Sequence, residues 1–243
     1  MIRLDRLLAN RGLGTRREVH GLIRAGRVTL DGKPITDGAA HVDPSSCLLA
    51  LDGEPIDGQP APIVMMNKPS GVLTANGDSQ RRTVVDLLPD CWRARKLMPV
   101  GRLDIDTTGL LLFTDDGELT HRLLNPKRHI DKLYRAVLDA PITDDDITAF
   151  AQGIPLKDFR ALPAQLTRDQ YDSMAALVVV QEGKFHQVKR MFAACGRLVI
   201  TLERLSIGPI HLDEGMKPGQ CRSLTVPEEA ALRSACGADR IAD

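Results

Sequence analysis

Aromatic side chains are scarce in this sequence: one tryptophan, two tyrosines and five phenylalanines make up 3% of it. A single-stranded RNA reader built on rows of stacking rings is thereby disfavoured. Net charge is lacking too, because 32 basic residues meet 32 acidic ones, so the chain as a whole does not announce a polyanionic partner. The five cysteines, Cys47, Cys91, Cys195, Cys221 and Cys236, form no CxxC pair and no His-containing ligand spacing. A scattered, odd set of this kind implies neither a disulfide framework nor a zinc site. Long apolar runs are missing as well. Arg3, Asp5, Arg6 and Arg11 interrupt the first stretch, which leaves no signal-peptide core and no membrane-spanning segment, so a cytoplasmic protein without a membrane partner is expected.

What is present is an uneven distribution of charge. Residues 1–30 carry seven arginines against two acids, a local excess of five, whereas residues 213–243 carry four bases against six acids. Phosphate contacts are therefore expected at the basic end. The 243 residues allow one large or two modest domains at about 150 residues each. Leu4, Leu7 and Leu8 have helical spacing, Gly12 and Gly14 break that helix, and Thr15 with Glu18 forms a capping box that starts another along Val19, Leu22 and Ile23. Two echoes follow, residues 28–35 and 49–56, each an apolar strand entering an Asp-Gly turn at Asp31-Gly32 and Asp52-Gly53. The expected organisation is a small module over 1–58, a turn-rich linker over 59–62 and a larger domain over 63–243.

The larger domain opens with a strand over Ile63 to Met66, ended by a turn at Asn67-Lys68-Pro69. A short helical stretch at Val84 to Leu88 and a basic patch at Arg93, Arg95 and Lys96 follow. The run from Gly109 to Thr114 reads as a core strand leading into a hairpin or tight turn at Asp116-Gly117, with an amphipathic stretch after it. Residues 132–138 alternate, with Tyr134, Ala136 and Leu138 on one face, and Thr143 caps a helix whose three leading aspartates complement its dipole. Leu177 to Val180, Val199 to Leu205 and Ile207 to Leu212 are further strands, and residues 184–195 are expected to be helical up to Gly196. Many strands and few helices predict an α+β fold with a mostly antiparallel sheet.

Two places could carry chemistry. Asp104 lies on a polar, Arg-bearing loop directly before the buried strand, where rigidity and access coincide; the same residue types also suit an ordinary loop or N-cap acid, as does Asp106. In the helix expected over 184–195, Val188, Met191, Phe192 and Cys195 make the buried stripe, which turns His186, Lys189 and Arg190 to the opposite face. A solvated basic face would look the same.

Gly101-Arg102-Leu103-Asp104, followed by Thr107-Thr108-Gly109-Leu110-Leu111, resembles the central motif of the RsuA/RluA pseudouridine synthases, and the resemblance extends over nearly the whole chain. It implies a ribosomal-protein-S4-like RNA-binding module followed by a pseudouridine synthase domain with a mixed, mostly antiparallel sheet. Asp104 matches the catalytic aspartate, Tyr134 the active-site tyrosine and Lys189 the basic partner of the aspartate. The Asn67-Lys68-Pro69 turn matches a segment that borders the cleft, joined there by Val188. Arg16, Arg17, Arg24 and Arg27 take the RNA-contacting positions of the first module, with Arg102 and Arg190 as candidates for phosphates flanking an extruded nucleotide. Lysine at 189 makes a point-charge contact and not a bidentate one.

The reaction so implied isomerises uridine to pseudouridine. It is redox-neutral and needs no cofactor or metal, in keeping with a sequence that has no phosphate-cradling loop, no dinucleotide fingerprint and no metal cluster. Whether the aspartate attacks the sugar, adds to the base or assists a glycal route stays open. The closest branch is the small-subunit type, the chain ending soon after Val226-Pro227-Glu228-Glu229, so 16S rRNA in an assembling subunit is the expected partner of a monomeric enzyme. The alternatives are 23S rRNA, a non-catalytic assembly factor, or an S4-bearing methyltransferase, the last disfavoured by the missing cofactor loop.

Overall fold

The computed structural model describes residues 2–42, 49–56, 63–89, 92–93 and 97–237. The predicted linker at 59–62, together with Arg95 and Lys96, lies outside the described residues. The chain divides into two compact units, Met1–Pro62 with Pro89–Leu97, and Ile63–Leu88 with Met98–Asp243.

In the first unit, β1 (Ile2–Arg3) runs into α1 (Leu4–Asn10), and Thr15 caps α2 (Arg16–Arg24) through a reciprocal pair of bonds with Glu18. Then come β2 (Val28–Leu30), β3 (Lys33–Pro34), β4 (His41–Val42), β5 (Leu49–Leu51) and β6 (Glu54–Ile56). Both Asp-Gly echoes are tight hairpins: Asp31, Gly32, Asp52 and Gly53 all have φ between 50° and 86°, the double positive φ that a two-residue turn matched to strand twist requires. The sheet order is β3-β2-β5-β6, with β1 paired to β4, and Leu4, Leu8, Val19, Ile23 and Val28 pack at the centre.

Asp5 is 1% exposed in this unit and bonds Arg3, Arg16 and His20. The Arg3 guanidinium, ahead of the opposing cost of burial, holds its carboxyl well below the usual carboxylate range. As pH falls, the unfolded chain therefore binds this proton first, and the module loses stability below about pH 4. Asp5→Asn is expected to cost about 2 kcal/mol at neutral pH and to flatten that acid limb. Urea melts of the module at pH 7 and pH 3 test this; equal pH dependence in both proteins contradicts it.

The second unit contains β7 (Val64–Lys68), β8 (Met98–Pro99), β9 (Thr108–Thr114), α3 (Gly117–Leu124), β10 (Lys132–Leu138), α4 (Asp144–Gln152), β11 (Gln165–Arg168), β12 (Ala175–Val180), α5 (Gln187–Ala194), β13 (Val199–Ile207), β14 (Ile210–His211), β15 (Cys221–Ser223) and α6 (Val226–Ala235). Its nine-stranded sheet has the order β11-β12-β10-β13-β9-β7-β15, with β8 on β9 and β14 on β13. All pairings are antiparallel except β9 with β13. Strand β9 is buried along Gly109 to Thr114 and so reads as a continuous apolar run without alternation. No hairpin follows it. Asp116 accepts the amides of Glu118 and Leu119 and starts α3, because an Asp at an N-cap competes successfully with the turn that Asp-Gly otherwise favours.

The parallel pairing is tight where it begins. Gly109 has φ +95°, and a Cβ there would stand 2.3 Å from the Arg204 carbonyl oxygen. Gly109→Ala is expected to destabilise the unit by about 2 kcal/mol or more, through positive-φ strain and backbone overlap. An unchanged urea midpoint contradicts this. Among the described residues no helix is long and apolar enough to cross a membrane.

Candidate active site

One line across the sheet assembles the site. Tyr134 on β10 pairs with Arg204 on β13, and Arg204 pairs with Gly109 at the start of β9. The loop carrying Asp104 enters β9 at that point, so the loop and the tyrosine face the same cleft. Its lining includes Arg102, Asp104, Tyr134, Lys184, His186 and Val188.

The loop is held from beneath. Lys68, at the end of β7, is 0% exposed, and its ammonium donates to the carbonyls of Pro69, Ile105 and Thr107 at 3.1, 3.2 and 2.9 Å. Thr74 Oγ1 donates to the Leu103 carbonyl at 2.8 Å and accepts the Leu103 amide. The Thr107 amide closes a turn onto the Asp104 carbonyl at 3.1 Å. With its backbone tied on both sides, Asp104 is left 26% exposed at the side chain, open to the cleft. Burial pushes the Lys68 ammonium down to about 8, with Asp106 and Asp104 opposing that shift.

Two nitrogen groups flank the carboxylate without gripping it. His186 Nε2 stands 3.5 Å from Asp104 Oδ1, and Lys189 Nζ 3.7 Å from Oδ2. Lys189 gives its short bond, 2.6 Å, to Asp106, and that bond holds the Asp106 carboxyl below its ordinary range. The expected pairing of Lys189 with Asp104 is present as an ion pair at 3.7 Å. The closer contact of Lys189 is to the neighbouring acid, and the ammonium lies within ion-pair distance of both carboxylates.

A correction concerns the helix. It begins at Gln187 and not at 184, since His186 has φ +49°, the left-handed region, and stands as its N-cap. The segment before it is a turn: the Gln187 amide donates to the Lys184 carbonyl, and the Gln187 side chain binds the Lys184 amide and the buried Glu182. His186 therefore approaches Asp104 from that turn, not from the polar face of a helix. Val188, Met191 and Phe192 are buried as expected, while Cys195 is half-buried at the helix end.

Tyr134 is 8% exposed, with its hydroxyl 3.5 Å from the Arg204 guanidinium, which also donates to the Leu110 carbonyl at 2.8 Å. Buried Lys132, two residues before Tyr134, donates to the carbonyls of Ile130 and Gln181. Arg190 pairs with Asp158 and lies over the Phe159 ring; Arg102 is exposed at the cleft. Asn67 donates to the Met216 carbonyl at 2.7 Å, and Asn67, Lys68 and Pro69 support the cleft without lining it. In the first unit Arg16 binds Asp5, Arg27 binds Asp52, and Arg17 and Arg24 are exposed on α2. Thr74 and Arg204 were not anticipated, and Asp106 was read only as an ordinary loop or N-cap acid. A basic residue on the buried side of a strand was the one available signal for Arg204. Among the described residues no three His, Cys, Asp or Glu side chains gather as metal ligands.

Comparison with known proteins identifies the family. Residues 62–194 match the family model described as RNA pseudouridylate synthase, and residues 2–46 match the S4 domain. The chain is 44% identical, over 93% of its length and 96% of the relative's, to a Bacillus subtilis protein named uncharacterized RNA pseudouridine synthase YtzG. It is 40% identical to the Escherichia coli ribosomal small subunit pseudouridine synthase A, over 95% of its length and all of the relative's. A crystal structure of a pseudouridylate synthase superposes with a TM-score of 0.66 at 34% identity, covering 96% of this chain and 100% of the other. A cleft centred on an accessible aspartate with a tyrosine beside it, on a chain that matches over nearly its full length, places this protein in the RNA pseudouridine synthase family, behind an N-terminal S4 domain.

Proposed function

We propose that the protein isomerises one uridine of small-subunit 16S rRNA to pseudouridine, with Asp104 as the catalytic group and no cofactor. The observation that carries this reading is the state of Asp104: a carboxylate on a pinned loop, flanked by two nitrogen groups at 3.5 and 3.7 Å, and tied by neither through a short hydrogen bond. An oxygen held this way keeps its reactivity while remaining oriented.

The isomerisation breaks the bond between the ribose C1′ and uracil N1, turns the base in place and joins C1′ to C5; C5 then gives its proton to solvent and N1 takes one up, so that atoms and charge balance. Asp104 meets the ribose of a nucleotide extruded from its stack. Lys189, anchored by Asp106, supplies positive charge beside the carboxylate, and Tyr134 packs against the uracil and takes part in the final proton transfer, with Arg204 behind its hydroxyl. Arg102 contacts a flanking phosphate; Arg17 and Arg24, on the exposed side of α2, add sequence-independent contacts that fix the rRNA on the S4 domain. The reading is of a monomer, acting in the cytoplasm where subunits assemble. The small-subunit substrate rests on the names of relatives about 40% identical over nearly full length.

Tritium release from transcripts labelled at uridine C5 tests the reading. Release is expected from 16S rRNA and absent from 23S rRNA. Release from 23S alone overturns the substrate, and release from neither overturns the enzyme.

A further inference from the structure

Phe185 is 73% exposed, whereas the other four phenylalanines are buried or half-buried. It stacks on the imidazole of His186, ring centroids 3.8 Å apart and planes 18° from parallel, and that imidazole stands 3.5 Å from the Asp104 carboxylate. The Phe185 ring contributes nothing to a core, and it lies against a side chain that lines the Asp104 cleft, with its other face open. His186 also holds a left-handed backbone, φ +49°, which a non-glycine residue adopts at a cost that tends to be stored at functional sites. The turn is kept in that shape by Gln187 on the buried Glu182 carboxylate at 2.8 Å, and by the Arg190 guanidinium on the Phe185 carbonyl at 3.4 Å. The ring pair is thus a rigid flat surface, with cationic Lys184 and Arg102 also at the cleft.

We propose that Phe185, backed by His186, is a stacking platform for a nucleobase adjacent to the target uridine, and so a specificity-determining residue that sets which nucleotide is presented to Asp104. This rests on the pseudouridine synthase reading above. A base with a face on Phe185 leaves its own phosphates within reach of Lys184 and Arg102, and its neighbour in the chain is the nucleotide extruded over Asp104. Reading of the nucleotides on either side of a flipped base is a general source of sequence preference in enzymes that act on bases, and a base stacked on an aromatic ring contributes about 1–3 kcal/mol. In a chain so poor in aromatics, one such platform gives register without a general affinity for single strands.

The test is a double-mutant cycle between protein and RNA. The probe is a hairpin carrying the uridine mapped as modified in a 16S transcript, with the base on one side or the other intact or replaced by an abasic site. Dissociation constants are measured for Asp104→Asn protein, which prevents turnover, with Phe185 intact or changed to Ala or Trp. Phe185→Ala is expected to weaken binding of the intact hairpin about tenfold, and removal of one flanking base to weaken the Phe185 protein by a similar factor. The two losses together are expected to equal either alone, and Phe185→Trp to restore the binding. Losses that multiply, or a Phe185→Ala protein that binds as tightly as its parent, overturn the platform. Wild-type protein is assayed on the 16S transcript and on the same hairpin: turnover alongside multiplicative losses overturns the platform alone, whereas no turnover on either RNA overturns the enzyme reading and the platform with it.

Discussion

Asp104→Asn is expected to lower pseudouridine formation by at least about ten-thousandfold while leaving the rRNA dissociation constant within about threefold. The amide has the shape of the carboxylate, so the loop keeps its turn, its bonds to Lys68 and its bond to Thr74, none of which involves the Asp104 side chain. What disappears is the charge and one reactive oxygen. Because the flanking nitrogen groups of His186 and Lys189 stand at 3.5 and 3.7 Å, beyond a strong hydrogen bond, little folding energy depends on this side chain. Single-turnover tritium release and filter binding on one protein preparation separate the two quantities. A parallel loss of binding and turnover would make Asp104 a structural residue; retained turnover would remove it from the chemistry.

Lys68→Met is expected to reduce kcat a hundredfold or more and to cost about 3 kcal/mol of stability, with rRNA affinity little changed. Methionine fills the volume of the lysine stem but leaves the carbonyls of Ile105 and Thr107 without the donor at 3.2 and 2.9 Å, and each buried group so orphaned costs about 1–3 kcal/mol. The loop would relax by an ångström or so, enough to lose about a hundredfold when a reacting group is misplaced. The wild-type enzyme is expected to show a related effect of pH. Lys68 loses its proton near 8 in the folded protein but near 10.4 when unfolded. Between those values the unfolded chain binds more protons, so stability from this group rises with pH. Activity nonetheless falls above about pH 8, since neutral Lys68 has one donor fewer for three carbonyls. A pH–kcat profile beside urea midpoints separates the two; activity and stability falling together contradict the assignment.

How much of this was legible in the sequence follows from the range of the interactions involved. The Asp-Gly hairpins, the Thr15–Glu18 box and the Thr143 cap are decided within four residues, and each formed where its pattern stood. The alternation over 132–138 set Tyr134, Ala136 and Leu138 on one face, and that face is the buried one. The start of α5 was misplaced because Glu182, Leu162 and Gln187 form a tertiary network that holds His186 left-handed, and helical periodicity carries no trace of it. Lys68 and Asp104 were recognised through a family motif, yet how they act together was not: three bonds across 1, 37 and 39 residues of sequence make a lysine on a strand the anchor of a distant loop. The preference of Lys189 for Asp106 over Asp104 is a matter of about an ångström, which residue spacing does not resolve.

The central claim is that Asp104 of this chain converts a uridine in 16S rRNA. Pseudouridine mapping across the rRNA of cells lacking the gene, complemented with wild-type or Asp104→Asn protein, tests it in one experiment. One 16S position is expected to lose its pseudouridine in the deletion, regain it with the wild-type protein and stay uridine with Asp104→Asn. A complete pseudouridine pattern in the deletion strain, or restoration by the Asp104→Asn protein, would contradict the claim.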